Sequence, residues 1–197
     1  MDAVFYWFAW VSVIIVTFFI QKQTLRQTLL LFSLICMCTY ASPVLSEGHL
    51  LLLHISLLVC FGIRLWVRRS RSFVQHFWPF VLSVGYSAGL MFFIIHPVWS
   101  SFPGISFGIV FILLLLRMTI RDIEGLIGTW MVVNALGALF TYGVFYTYAN
   151  EKLVESQAML VLVFKGLLVL FILYGINNLK QSNKKTRKSK AKGAVFV

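Results

Sequence analysis

Seven apolar runs, each close to the length of a bilayer crossing, follow one another through 197 residues with little chain between them. They occupy 3–20, 28–45, 50–67, 77–95, 105–120, 126–148 and 158–176, and every gap carries a charge or a helix breaker. A membrane-spanning helix takes about 20 apolar residues at 1.5 Å rise each, with roughly 17 to 25 tolerated. The runs therefore predict an all-α polytopic integral membrane protein: a seven-helix transmembrane bundle over 1–179, followed by a basic, flexible cytoplasmic tail over 180–197. The second run, which ends at Pro43, and the fifth, which holds Arg117 in its last turn, are the shortest fits to a crossing. Hydrophobic residues make up 60% of the chain and charged ones 12%, with a mean hydropathy of +0.90, so a disordered chain, a soluble enzyme domain and a disulfide scaffold are excluded.

The charges give an independent check on the number of crossings, because Lys and Arg collect on cytoplasmic loops. Lys22 and Arg26 follow the first run, Arg64, Arg68, Arg69 and Arg71 close the third, and Arg117 and Arg121 close the fifth. Lys180, Lys184, Lys185, Arg187, Lys188, Lys190 and Lys192 make up the tail, so 15 of the 17 basic residues fall on one side. The opposite loops hold Lys152 with Asp2, Glu47, Glu151 and Glu155, while Lys165 lies inside the seventh run. An even number of crossings would break this alternation, so the N-terminus is expected outside and the C-terminus in the cytoplasm. Trp and Tyr favour the headgroup level, and Trp7, Trp10, Tyr40, Trp99, Tyr142, Tyr146 and Tyr148 fall near the outer ends. Trp66, Trp78, Trp130 and Tyr174 fall near the inner ends, leaving Tyr86 in the middle of the fourth run. Met1-Asp2-Ala3 has neither a positive leader nor a cleavage pattern downstream, so the first run is expected to remain in the mature chain.

Chemistry-bearing residues are few. Gly85-Tyr86-Ser87-Ala88-Gly89 fits both a small-xxx-small helix contact and a GxSxG serine motif, but a nucleophile elbow needs a strand-to-helix turn, and no histidine follows His96. Gly85 and Gly89 are therefore expected to let a neighbouring helix approach, with the sixth span and its Gly137, Ala138 and Thr141 as the partner. Lys165 stands about 10 Å inside the outer end of its span, where an ion is a functional candidate unless its stem carries the ammonium back to the headgroups. His54, Tyr86 and Asn134 have depths compatible with a polar pocket around it in the outer half. A Schiff-base cofactor at Lys165 would need a counter-ion, and no Asp or Glu lies in any span, so no cofactor is expected.

His49, His54 and the outer glutamates Glu47, Glu151 and Glu155 offer nitrogen and oxygen donors of the kind a divalent metal takes. The five-residue separation of the two histidines is not that of a helical zinc pair, and no metal site is assigned. Cys36, Cys38 and Cys60 read as small hydrophobes within spans. The tail suits attraction to anionic lipid at about 1 kcal/mol per basic residue; lacking aromatic interleaving, it does not suit nucleic acid.

The whole layout, with the Tyr6-Trp7-Phe8-Ala9-Trp10 opening, the Arg68-Arg69 loop and the lysine tail, resembles the YphA-type small bacterial membrane proteins over nearly its full length. That resemblance implies a bacterial cell-membrane protein and brings with it no catalytic residue. The expected function is non-enzymatic interaction with membrane lipids, with other membrane proteins or with further copies of itself. A small-molecule or lipid transporter or sensor built on the Lys165 pocket, and a metal-dependent membrane enzyme built on His49 and His54, are the alternatives. Uniformly apolar helices conceal which face meets lipid.

Overall fold

A computed structural model describes residues 2–40, 46–68, 73–100, 104–120, 122–148 and 155–193. Every regular element among them is helical. Seven long helices coincide with the seven apolar runs: α1 (Asp2–Phe19), α2 (Gln23–Thr39), α3 (Glu47–Trp66), α4 (Phe73–Ile95), α6 (Gly104–Thr119), α7 (Ile123–Tyr148) and α8 (Ser156–Gly193). A single turn, α5 (Pro97–Ser100), follows α4, and the break at His96 arises because the residue before a proline is driven out of helical geometry. By length and composition Glu47–Trp66, His76–Ile95, Ile123–Thr147 and Ser156–Asn177 suffice to cross a membrane, while Ala3–Phe19 and Gly108–Met118 are shorter apolar helices. The 17 residues of α2 extend to about 26 Å against a hydrocarbon core of about 30 Å. It starts five residues before the predicted run, because Gln23, Thr24 and Arg26 are compatible with a helix although they are polar.

α8 runs unbroken to Gly193, so the backbone that carries Lys180 to Lys192 is helical. Between Gly175 and Gly193 no glycine or proline intervenes, and Lys, Arg, Gln and Ala are strong helix formers. The side chains of Lys180, Lys184, Lys185, Arg187, Lys188, Lys190 and Lys192 lie outside the described ones.

α7 is the centre of the bundle, with 78% of its span buried against 17% for α4. It packs on α3, α4 and α8; α8 in turn packs on α1 and α6, and α2 lies against α1 and α3. Asp122 caps α7, its Oδ2 accepting from the Gly125 amide at 2.8 Å. Aromatic rings join four helices. Phe5 of α1 stacks on Tyr40 just past α2 at 3.8 Å and meets Phe164 of α8 edge-on at 5.3 Å, while Phe32 of α2 touches Phe164 and Phe61 of α3.

The closest helix contacts are made by single glycines. A Cβ on Gly128 of α7 would stand 2.7 Å from the Gly62 carbonyl oxygen and 2.7 Å from the Trp66 amide nitrogen, so α3 and α7 meet backbone to backbone. A Cβ on Gly137 would collide with the Tyr86 ring, and one on Gly166 with the Trp130 indole. Gly85 and Gly89 do not serve this purpose: a Cβ at either would meet nothing within 4 Å. The expected close approach at this pair is thus corrected. α4 does pack on α7, but through the Tyr86 ring over Gly137 and through Ser87, whose hydroxyl lies 3.0 Å from that of Thr141.

Helix ends gather in two sets. Lys22 pairs with Glu124, and Arg68 donates to Thr24 at 3.3 Å, which brings the α1–α2 turn, the end of α3 and the start of α7 to one end of the bundle. At the other end Thr39, His54 and Ser156 join the end of α2, the first half of α3 and the start of α8. Glu124 thus takes its partner from the turn between α1 and α2. Arg121 lies outside the described residues.

Candidate functional site

His54 and Lys165 occupy separate surroundings. His54 is fully buried, and both ring nitrogens are engaged. Thr39 donates its hydroxyl proton to the Ile35 carbonyl at 2.9 Å, so toward His54 its oxygen accepts, from Nε2–H at 3.0 Å. Nδ1 is then the unprotonated nitrogen and accepts from the Ser156 hydroxyl at 2.5 Å. Serine, imidazole and an orienting hydroxyl in this order resemble a nucleophile, a base and its support. Ser156 is only 6% exposed, however, and the ring not at all, so no substrate carbonyl reaches the serine oxygen. The arrangement is a polar clasp between α2, α3 and α8.

Asn134 is also fully buried; its amide donates to the Trp130 carbonyl one turn earlier at 2.8 Å, while its Oδ1 has no hydrogen-bond partner among the described residues. Trp130, two turns into α7, is buried and donates Nε1–H to the Val163 carbonyl of α8 at 3.1 Å. His49 turns to Ser46, at 2.6 Å, and not to His54. Among the described residues no three His, Cys, Asp or Glu side chains come together to hold a metal, and Glu151 lies outside those residues.

Lys165 is exposed on α8, with its ammonium 5.7 Å from the centroid of the Phe8 ring. It borders a groove of 440 Å³ between α1, α6 and α8. Sequence depth alone placed it level with the other candidates; direction around the helix separates it from them.

A cavity of 1010 Å³ lies between α4 and α6, with α7 and α8 behind it. Its lining is almost wholly apolar, with the Tyr86 ring on one wall and Glu155 at the end where α8 begins. Gly85 and Gly89 line the α4 wall and Gly108 the α6 wall, and none of the three has a neighbour within 4 Å of where its Cβ would be. The glycines widen this space instead of closing a helix contact. Ligand sites commonly measure roughly 300–1,000 Å³ and are mostly apolar with a few polar groups, which this cavity matches at its upper limit. Residues that the sequence did not mark, Thr39, Ser156, Gly62 and Gly128, join α2, α3, α7 and α8; none stands in a motif, and each acquires its role from a partner elsewhere in the chain.

The profile of a family described as YphA-like integral membrane protein matches residues 2–195. Comparison with curated proteins and with solved structures gives no significant match.

Proposed function

The chain belongs to the YphA-like integral membrane protein family, and on that premise we propose that it is a non-enzymatic lipid-recognition protein of the bacterial cell membrane. It crosses the bilayer seven times, N-terminus outside, and holds the apolar part of a membrane lipid between α4 and α6. The observation that carries this reading is the 1010 Å³ cavity, whose facing walls are thinned by Gly85, Gly89 and Gly108. Shape alone favours an apolar occupant, because hydrocarbon in an apolar space of this size gains dispersion contacts along its lining.

The gathering of Lys22, Arg68 and Glu124 at one end and of Thr39, His54 and Ser156 at the other supports alternating crossings. The basic end then faces the cytoplasm, where Lys and Arg accumulate and anionic headgroups attract them. Native mass spectrometry of the protein released from its membrane tests the reading: bound lipid is expected to survive gentle activation. Gly85→Leu with Gly89→Leu, which fills the cavity without touching a helix contact, is expected to remove that lipid. Equal lipid retention by the filled variant would refute the assignment.

A further inference from the structure

α8 carries a cation in surroundings otherwise made of hydrocarbon. Lys165 lies nine residues beyond Ser156, about 13 Å along the helix at 1.5 Å per residue. Its side chain is exposed and not turned into the bundle, and its ammonium lies beside the Phe8 ring. Phe8 stands on α1 across from Lys165, so the ammonium has an aromatic face and not an anion beside it. Among the described residues no carboxylate pairs with it.

The groove it borders has a polarity of its own. Trp7, Phe8 and Lys165 stand at one end, while Val11 and Ile15 of α1 and Leu168 and Ile172 of α8 continue it inward as an apolar channel, with α6 as its other wall. One charged end and one apolar length are the two halves of an amphiphile, laid in the direction a lipid of that leaflet already takes. The volume of 440 Å³ limits what fits. A helix about 10 Å across fills about 120 Å³ per residue, so a partner helix would be accommodated for less than four residues. A single alkyl chain suits the space.

We infer that this groove binds a single-chain anionic amphiphile, a long-chain carboxylate, with its headgroup on the Lys165 ammonium and its chain laid between α1 and α6. An ion pair formed there is shielded from water, where charge-assisted contacts are strongest. The groove is separate from the cavity between α4 and α6: α6 stands between them, with Ile109 bordering both. The inference therefore stands or falls apart from the lipid-recognition reading.

The test uses the full-length protein in nanodiscs of zwitterionic phospholipid, with hexadecanoic acid bearing a mid-chain diazirine as the probe. Photolabelling is expected on 11–15 and 168–172, competed by unlabelled hexadecanoate and not by hexadecanol. It is expected to fall at least tenfold in Lys165→Leu, to persist in Lys165→Arg, and to fall as well in Ile15→Trp, which blocks the chain and leaves the lysine in place. Unchanged labelling in Lys165→Leu, or equal competition by hexadecanol, would overturn headgroup recognition. Stronger competition by phosphatidylglycerol than by hexadecanoate would replace the single-chain carboxylate with a phospholipid. Labelling confined to the residues of the α4–α6 cavity would overturn the groove while leaving the cavity reading intact.

Discussion

Ser156, at the first turn of α8, gives its hydroxyl to Nδ1 of His54 in α3 at 2.5 Å, across 102 residues of chain. Because the ring is wholly buried and its other nitrogen already bonds Thr39, removal of either hydroxyl leaves a nitrogen stranded. Ser156→Ala is expected to lower stability by about 1–3 kcal/mol, the cost of an unsatisfied buried polar atom. A double-mutant cycle of Ser156→Ala with His54→Leu, measured by reversible unfolding in mixed micelles, should show a coupling near the ~0.6 kcal/mol typical of hydrogen bonds between membrane helices. Strict additivity would mean the clasp does not hold the helices.

Glycine substitutions are expected to divide by face. Gly128→Ala places a methyl 2.7 Å from backbone atoms of α3 that cannot move without shifting the helix, so it should strongly destabilise the fold. Gly62→Ala meets a Val132 methyl at 2.8 Å and the Gly128 carbonyl at 3.1 Å, and should cost less. Gly85→Ala and Gly89→Ala meet nothing and should be neutral or stabilising by up to about 1 kcal/mol through helix propensity. Thermal unfolding of the four variants in one detergent checks the order, and a damaging Gly89→Ala would contradict it.

Most of the architecture was legible in the sequence, because inside a membrane a helix needs apolar length and little else. Each long helix covers most of the run that predicted it, with α2 beginning five residues early and α8 continuing past its run to Gly193. The Gly85-xxx-Gly89 spacing fixed a common helix face but not which way that face points. In water a polar stripe would have settled direction; here both sides of α4 are apolar, and the stripe proved to line a cavity. Gly62 and Gly128 stand alone in sequence, so nothing announced that they would meet. Lys165 was recognisable as unusual from its depth, yet its exposure beside Phe8 and its separation from His54 depend on rotation about α8, which uniform hydrophobicity does not encode.

The Lys22–Glu124 pair should respond asymmetrically. The Glu124 side chain is 7% exposed and that of Lys22 56%. Lys22→Ala leaves a carboxylate buried without its counter-ion, whereas Glu124→Gln leaves an ammonium that solvent can reach. Lys22→Ala is therefore expected to be the more destabilising of the two, with Glu124→Gln near the 0.2–1 kcal/mol range of exposed pairs, roughly. Proximity of Glu124 to the positive N-terminus of α7 offsets part of the first effect. Equal losses in parallel unfolding curves would indicate that water reaches Glu124.

The parity of the topology rests on α2, whose 17 residues and polar first turn make it the least secure crossing. If α2 crosses, Gln23 and Ser46 lie on opposite sides; if it does not, they share one. Both positions are exposed, so each accepts a single cysteine in a chain where Cys36, Cys38 and Cys60 are replaced. A membrane-impermeant thiol reagent on intact cells is expected to modify Ser46→Cys directly and Gln23→Cys only after permeabilisation. Labelling of both from outside would reduce the count by one crossing and place the cluster of Lys22, Arg68 and Glu124 on the same face as Ser46. The contacts at the two ends of the bundle argue against that outcome, since Lys22 meets Glu124 at one end while Thr39 meets His54 at the other, and α2 is the helix that runs between them.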